Sequence, residues 1–338
     1  MTDPTVSVVI VAWKAREDAL RCLASLREHA AVPYEAIVVD DGSEDGTPEA
    51  VRAAFPETTV LARWPNAGLV AGRNAALPHV RGAYVLMLDA DTEVRPGAIP
   101  MLVGALERDD RIGLVAPRLV HPDGTLQLSC RRFPPFLIPL MRRGPYARLH
   151  DDPALHRWHM MKDYDHRTER PVAWVIGAAQ MWRADLRGRL GPYDRLVSSY
   201  GGEDLDWCLR VWDAGLEVRY VTDAEVMHVF QQATRRSPFG RKSLRALRDW
   251  YYLQWKHRSL RRDRHPGGSR AVGGRRAPAP GALLRARRPP PADPRLGPHR
   301  RSAGRGPRRQ PPARVPRGAD AARRRSVAEH DLERRRGA

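Results

Sequence analysis

The 338-residue chain has little with which to build a cross-linked or membrane-spanning protein. Its three cysteines, Cys22, Cys130 and Cys208, form no C-x-x-C pair and no disulfide framework. That excludes a cysteine-ligated zinc module and a disulfide scaffold, and it fits a reducing compartment. No apolar run approaches the roughly 18 to 20 residues of a membrane span. The N-terminus lacks the basic region, apolar core and cleavage site of a secretory leader. The expected location is therefore cytoplasmic, with any membrane met peripherally at the inner face of the plasma membrane. G-x-x-x-x-G-K-[ST] is absent, and the first strand-like run leads into Lys14-Ala15-Arg16 rather than a glycine-rich turn. An NTPase phosphate loop and a dinucleotide fingerprint are both excluded.

Aromatic residues are missing from one whole region. From Asp263 to Ala338 there is no Phe, Trp, Tyr or Lys, while 21 Arg and 12 of the 30 prolines fall there. Against 6 acidic residues the tail carries +15 of the chain's formal +19, so the first 262 residues hold only +4. A segment so poor in large apolar groups cannot offset its ordering entropy, and disorder is expected. Its Arg, Pro, Gly and Ala composition is that of a GC-rich strand read out of frame, and the tail reads as a frameshift product. The basic balance of the chain is thus no sign of a nucleic-acid partner, and no specific one is expected.

The body alternates strand and helix. Ser7 to Trp13 is a continuous β-branched run of the kind buried on both faces of a parallel sheet. Helical spacing follows over Glu17 to His29, then strand-like Ala36 to Asp40, a third strand over Thr58 to Ala62, a helix over Val70 to Val80 and a fourth strand over Tyr84 to Leu88. Beyond these, Ile112 to Val120, Val172 to Ile176 and Val218 to Val221 read as strands, and Glu203 to Ala214 as a helix ended by Gly215. Lys242 to Arg262 has helical spacing, with Leu244, Leu247 and Tyr251 as its apolar stripe among many Arg and Lys. Such alternation predicts an α/β domain whose ligands bind at the carboxyl ends of the strands.

Carboxylates gather at those ends. Asp89 and Asp91 follow the fourth strand at i and i+2, where two oxygen ligands suit Mg²⁺ or Mn²⁺. Asp40 and Asp41 follow the second, as acceptors for a base or ribose or as an Asx turn. Asn66 to Asn74 joins small residues to Arg73 at a helix start, which suits a diphosphate. Glu203, Asp204 and Asp206 open a helix: favourable dipole partners, or a general base among them. His228 is a candidate third metal ligand.

The succession VVIVAW, VVDDGS, NAGLVAGRN, YVLMLDAD, IGAAQMWR, LGPYD and GGEDLDWCLR with a downstream His resembles glycosyltransferase family 2, over roughly Thr5 to Arg262. Within that family it looks most like the bacterial rhamnosyltransferase-like branch. The resemblance implies an inverting enzyme of the GT-A nucleotide-diphospho-sugar transferase fold, an α/β architecture with a mixed, mostly parallel central sheet flanked by helices. It implies that Ala12, Asp40, Asp41, Asn66, Arg73 and Asp89 line the nucleotide sugar, that Asp89, Asp91 and His228 hold Mg²⁺ or Mn²⁺, and that Asp204 is the base with Glu203 in support. The donor would be dTDP-rhamnose or a UDP-sugar, and the acceptor a hydroxyl of a cell-envelope or polyprenyl-linked glycan. The organisation expected is a nucleotide-sugar half over residues 1–115, an acceptor and catalytic half over 116–236, a basic amphipathic helix over 237–262 suited to an anionic membrane surface, and the tail over 263–338. Where relatives usually read G-G-F-D-E, this chain has Gly191-Pro192-Tyr193-Asp194-Arg195, a departure in a loop that shapes the acceptor site. Two other classes stand beside this reading. A sugar nucleotidyltransferase needs a glycine-rich basic loop that Val11 to Arg16 does not supply; a nucleic-acid binder would act through the tail.

Overall fold

The computed structural model describes residues 4–133, 154–197, 202–229 and 241–258. The tail lies outside them, as does most of the proline-containing apolar run Phe133 to Met141 (FPPFLIPLM), which on sequence reads as a loop that could touch lipid or acceptor. Parallel strands β1 (Val6–Ala12), β2 (Tyr34–Asp41), β3 (Thr59–Arg63) and β4 (Tyr84–Asp89) form half of the main sheet, joined through α1 (Arg16–His29), α2 (Thr47–Ala54) and α3 (Leu69–Ala76). A short β5 (Thr92–Val94) and helix α4 (Ala98–Arg108) lead into β6 (Ile112–Val120), then the small strands β7 (Leu126–Gln127) and β8 (Cys130–Arg131). After helix α5 (Ala154–His159) come β9 (Arg170–Pro171), β10 (Trp174–Val175), β11 (Ala179–Arg183) and α6 (Leu186–Leu190). Helix α7 (Glu203–Asp213), the long strand β12 (Glu217–His228) and helix α8 (Arg241–Lys256) complete the order.

The sheet runs β3-β2-β1-β4-β11-β6-β12-β5, mostly parallel, with β11 antiparallel to both β4 and β6 and with β5 antiparallel to β12. Strand alternation divides the core into two layers. Val8 and Ile10 of β1 point to the side covered by Leu23 and Leu26 of α1, Val51 of α2 and Leu102 of α4. Val9 points to the other side, packed by Val70 of α3 and by Trp207 and Leu209 of α7. Both faces of the central strands are buried, which is why they read as unbroken apolar runs. Register aligns the carboxyl ends, with Ala12 opposite Asp40 and Val11 opposite Asp89. Among the described residues, no helix is long and apolar enough to cross a membrane.

Four local expectations change. The strand expected at Val218 to Val221 extends over Glu217–His228, so His228 is its last residue instead of following it. Its pairing with β6 shifts register between Val221 and Glu225, where polar Thr222 and Asp223 interrupt the apolar pattern that signals a strand. The helix expected over Val70 to Val80 ends at Ala76 and tightens into a 3₁₀ turn, Leu77–His79, containing Pro78. Of the run Val172 to Ile176 only Trp174–Val175 pairs, with β8. Finally, α8 buries Asp249 and Leu253, with His257 buried just beyond its end, while Leu244 of the expected apolar stripe is 57% exposed.

Polar contacts explain that inverted helix. Asp206 of α7 accepts hydrogen bonds at 2.8 Å from His257 and Lys256 and pairs with Arg210 at 2.5 Å, and His257 also meets Asp213 at 2.9 Å. Lys256 and Tyr252 bind Asp194. Burial pushes the Asp206 carboxyl up, but the His257 hydrogen bond and the Arg210 and Lys256 charges outweigh it and hold the group at about 2. Its folded value lies below the unfolded one, so this stabilisation is present above pH ~4 and is lost as pH falls toward 2. Asp206→Asn should therefore lower unfolding free energy at pH 7 by about 2 kcal/mol, with the deficit shrinking at pH ~3; urea melts at the two pH values check this, and an equal deficit at both would refute it.

Candidate active site

The register of two strands brings the first acidic pair and the last residue of β12 together. Asp89 ends β4, and Asp91 sits in the turn before β5. Antiparallel pairing of β5 with β12 sets Thr92 opposite His228, and Val229 N–H donates to the Asp91 carbonyl at 2.9 Å. Ligand atoms of Asp89, Asp91 and His228 all lie within 4.8 Å of one another. His228 Nε2 is 3.3 Å from Asp91 Oδ1, and its Nδ1 meets Gln127 Oε1 at 2.8 Å. With Nδ1–H donating to Gln127, Nε2 is left as the nitrogen that turns to the carboxylates. Burial lowers the His228 pKa, but the Asp91 hydrogen bond and charge raise it further than burial lowers it. Two carboxylates and one imidazole so disposed fit a divalent cation.

A second acidic pair lies behind the first, with Arg73 between them. The Arg73 side chain is 2% exposed, and its Nη2 donates to Asp89 Oδ1 at 3.2 Å and to the Gly177 carbonyl at 2.9 Å. Its Nη1 lies 3.8 Å from Glu203 Oε1 and has no hydrogen-bond partner among the described residues. The Tyr193 ring lies 5.6 Å from the guanidinium carbon. Gly177 closes the network, its N–H donating to Asp204 Oδ2 at 3.0 Å. A Cβ at residue 177 would stand 3.0 Å from Arg73 Nη2 and 3.3 Å from Asp204 Cβ, so this contact favours glycine.

Burial, then the neighbouring Asp204 charge, push Glu203 up to about 7 against the pull of Arg73. Burial also raises Asp204, opposed by backbone N–H groups of Leu205 and Gly177 and by Arg73. Asp89 is raised by burial as well, against Arg73 and His228. Four carboxylates thus face one guanidinium and one imidazole, an excess of negative charge that a divalent cation would balance.

The residues expected to meet a nucleoside divide into two kinds. Asp41 is 1% exposed, and its carboxylate accepts from Arg63 Nη1 at 2.8 Å, from Ala67 N–H and from Gly68 N–H at 2.6 Å. Asn66 donates to the Asp41 carbonyl at 2.8 Å. Asp41 thereby fastens the loop that opens α3. Asp40 accepts from Ser43 N–H at 3.0 Å through Oδ2, while its Oδ1 is buried with no hydrogen-bond partner among the described residues. Ala12 is buried beside Asp40 in the register of β1 and β2. Sequence reading did not single out Gln127 or Gly177; neither stands in a charged or aromatic motif, although Gly177 lies inside the IGAAQMWR segment.

Residues 7–162 match the family model for glycosyl transferase family 2. An N-acetylglucosaminyl-diphospho-decaprenol L-rhamnosyltransferase of Mycobacterium tuberculosis is 30% identical over 284 residues, covering 80% of this chain and 88% of that protein. The glycosyltransferase YwdF of Bacillus subtilis is 26% identical over 234 residues, 68% of this chain and 75% of its own. Among solved structures, GalNAc-T7 with UDP, GalNAc and Mn²⁺ superposes with a TM-score of 0.56 at 18% identity over 76% of this chain, which spans 50% of that one. TarS 1-349 of S. aureus gives 0.50 at 15% identity, over 78% of this chain and 67% of its own. The structural likenesses concern the fold.

Because Asp41 is saturated by its own chain and Asp40 Oδ1 has no partner among the described residues, the two should fail differently. Asp41→Asn should lower the melting temperature, by about 1.5–3 kcal/mol of stability for a charged hydrogen-bonded group. Asp40→Asn should leave melting nearly unchanged yet weaken dTDP or UDP binding by roughly tenfold or more. Thermal melts with titration calorimetry read both, and the reverse pattern would exchange the two roles.

Proposed function

The chain belongs to glycosyltransferase family 2, and we propose that it is an inverting enzyme moving a sugar, L-rhamnosyl or a UDP-borne hexosyl, from its nucleotide diphosphate to a hydroxyl of a polyprenyl diphosphate-linked glycan. One observation carries this reading: Arg73 joins a cation-competent cluster, Asp89, Asp91 and His228, to a buried carboxylate pair, Glu203 and Asp204. Donor activation and proton removal thus share one network. The acceptor class is supported by the lipid-linked substrate in the name of the mycobacterial relative.

Asp204 is the base. It accepts two backbone N–H groups, which favour its ionised form, whereas Glu203 is pushed up to about 7. Asp204 removes the acceptor hydroxyl proton as that oxygen bonds to the anomeric carbon; the bond from that carbon to the diphosphate oxygen breaks, and its electron pair leaves with the nucleoside diphosphate. Arg73 supplies fixed positive charge beside Asp89 and keeps water from the rear of the site, acting before the reaction as well as during it. A Mg²⁺ or Mn²⁺ ion held by Asp89, Asp91 and His228 supplies, when bound, charge that offsets the departing diphosphate. Asp40 and Ala12 line the nucleoside, with Asn66 and Asp41 shaping the loop beside it.

Replacing Asp204 by Asn should cut turnover by about 10²–10⁴-fold while donor affinity, read by calorimetry, stays near that of the parent; near-parental turnover would remove Asp204 as the base. Asp91→Ala should abolish the Mn²⁺ dependence of nucleotide-sugar binding. Equal affinity with and without Mn²⁺ in both parent and variant would count against the cation cluster.

A further inference from the structure

The outer side of α8 is not the side its sequence pattern would bury. Leu244 is 57% exposed and Trp255, farther along the same helix, 65%. Leu196 is 65% exposed and is tied to α8 by Arg248, which donates to the Leu196 carbonyl at 2.7 Å. Arginines stand among these apolar groups. Arg195 and Arg245 have no ion-pair or hydrogen-bond partner among the described residues. The one acid of α8, Asp249, is 2% exposed, turned inward and paired with Arg248, and Asp194 is taken by Lys256 and Tyr252.

Beside this stripe lies a hollow of about 740 Å³ between the outer side of α3, the 195–197 segment and α8. Arg63, Arg195 and Arg245 line it together with Asn66 and Asn74, and no carboxylate does. It is separate from the acidic cluster: α3 turns Arg73 inward to Asp89 and Glu203 but gives Val70, Ala71, Asn74 and Ala75 to the hollow.

We propose that this face docks on an anionic lipid bilayer, with Leu196, Leu244 and Trp255 entering the interfacial region and the arginine-lined hollow receiving lipid phosphates. Large apolar side chains interleaved with arginine, with no acid on the exposed side, are what a helix lying in a charged lipid interface requires. A phosphate satisfies the guanidinium groups of Arg195 and Arg245, which have no partner among the described residues. The inference rests on the proposed function and deepens it, since a lipid-linked acceptor lies at such a surface; Leu196, Leu244, Arg245 and Trp255 stand apart from the Arg73 network, and Arg195 belongs to the Gly191–Arg195 loop expected beside the acceptor.

The native cysteines are buried, so the full-length chain carrying Leu244→Cys takes a polarity-sensitive thiol fluorophore at one place. Vesicles rich in phosphatidylglycerol should shift its emission to the blue and raise its intensity, and pure phosphatidylcholine vesicles should not. Adding Arg195→Gln and Arg245→Gln should weaken partitioning about fivefold for each arginine, roughly 25-fold together. A label at Trp255→Cys gives a second reading should the first variant fold poorly. The proposal fails if the protein sediments with anionic vesicles while both labels stay in water, which is adsorption through the Arg-rich C-terminal sequence. It fails equally if the labels respond to protein concentration without lipid, which is self-association. Nucleotide-sugar hydrolysis in the same samples keeps the two readings apart: a chain that turns over donor without docking refutes only this face, and one that docks without turnover refutes only the transferase.

Discussion

A guanidinium buried to 2% exposure is the constraint on which the centre of this molecule depends. An uncompensated charge at that depth would cost several kcal/mol. Arg73 is stable there because Asp89 arrives from β4, Glu203 from the start of α7 and a carbonyl from Gly177. These partners come from distant parts of the chain, so neutralising one cation holds the first four strands of the sheet against α7. The bare Gly177 fits the same packing, because a Cβ there would stand 3.0 Å from the Arg73 guanidinium and displace it from its partners. So does the excess acidity of the site, since one guanidinium is shared among more carboxylates than it can neutralise.

Three carboxylates within one helical turn show how far surroundings decide chemistry. Glu203, Asp204 and Asp206 are near-identical letters in the sequence. In the structure the first two face Arg73 in a buried pocket and are pushed upward, whereas Asp206 faces Lys256, His257 and Arg210 and is held low. The former suit proton transfer; the latter is a fastening for α8.

Much of the fold was legible because parallel strands buried on both faces leave unbroken apolar runs: β1, β4 and β6 lie where their runs predict. Asp89 and Asp91 were legible for the same reason, as polar residues ending such a run. His228 was harder to place, because Thr222 and Asp223 hide the continuity of β12, and only its pairing with β5 brings the imidazole to Asp91. Periodicity failed for α8, whose inner side is fixed by ion pairs that a hydrophobic pattern does not record. Gln127 and Gly177 left no signal, since an amide on a two-residue strand and a glycine ahead of β11 acquire meaning only from what they touch.

The reversal of β11 within the sheet has a further effect. Parallel strands present their ends to the ligand side, but a strand running the other way presents its entrance. The backbone arriving at β11 therefore delivers both a donor and an acceptor, the Gly177 N–H and carbonyl, to a rim otherwise made of strand exits and their side chains. Polarity at that rim is written into the direction of one strand. Sequence change in the segment leading to it can reshape that rim while the pairing of β4 with β11 keeps those two groups in place.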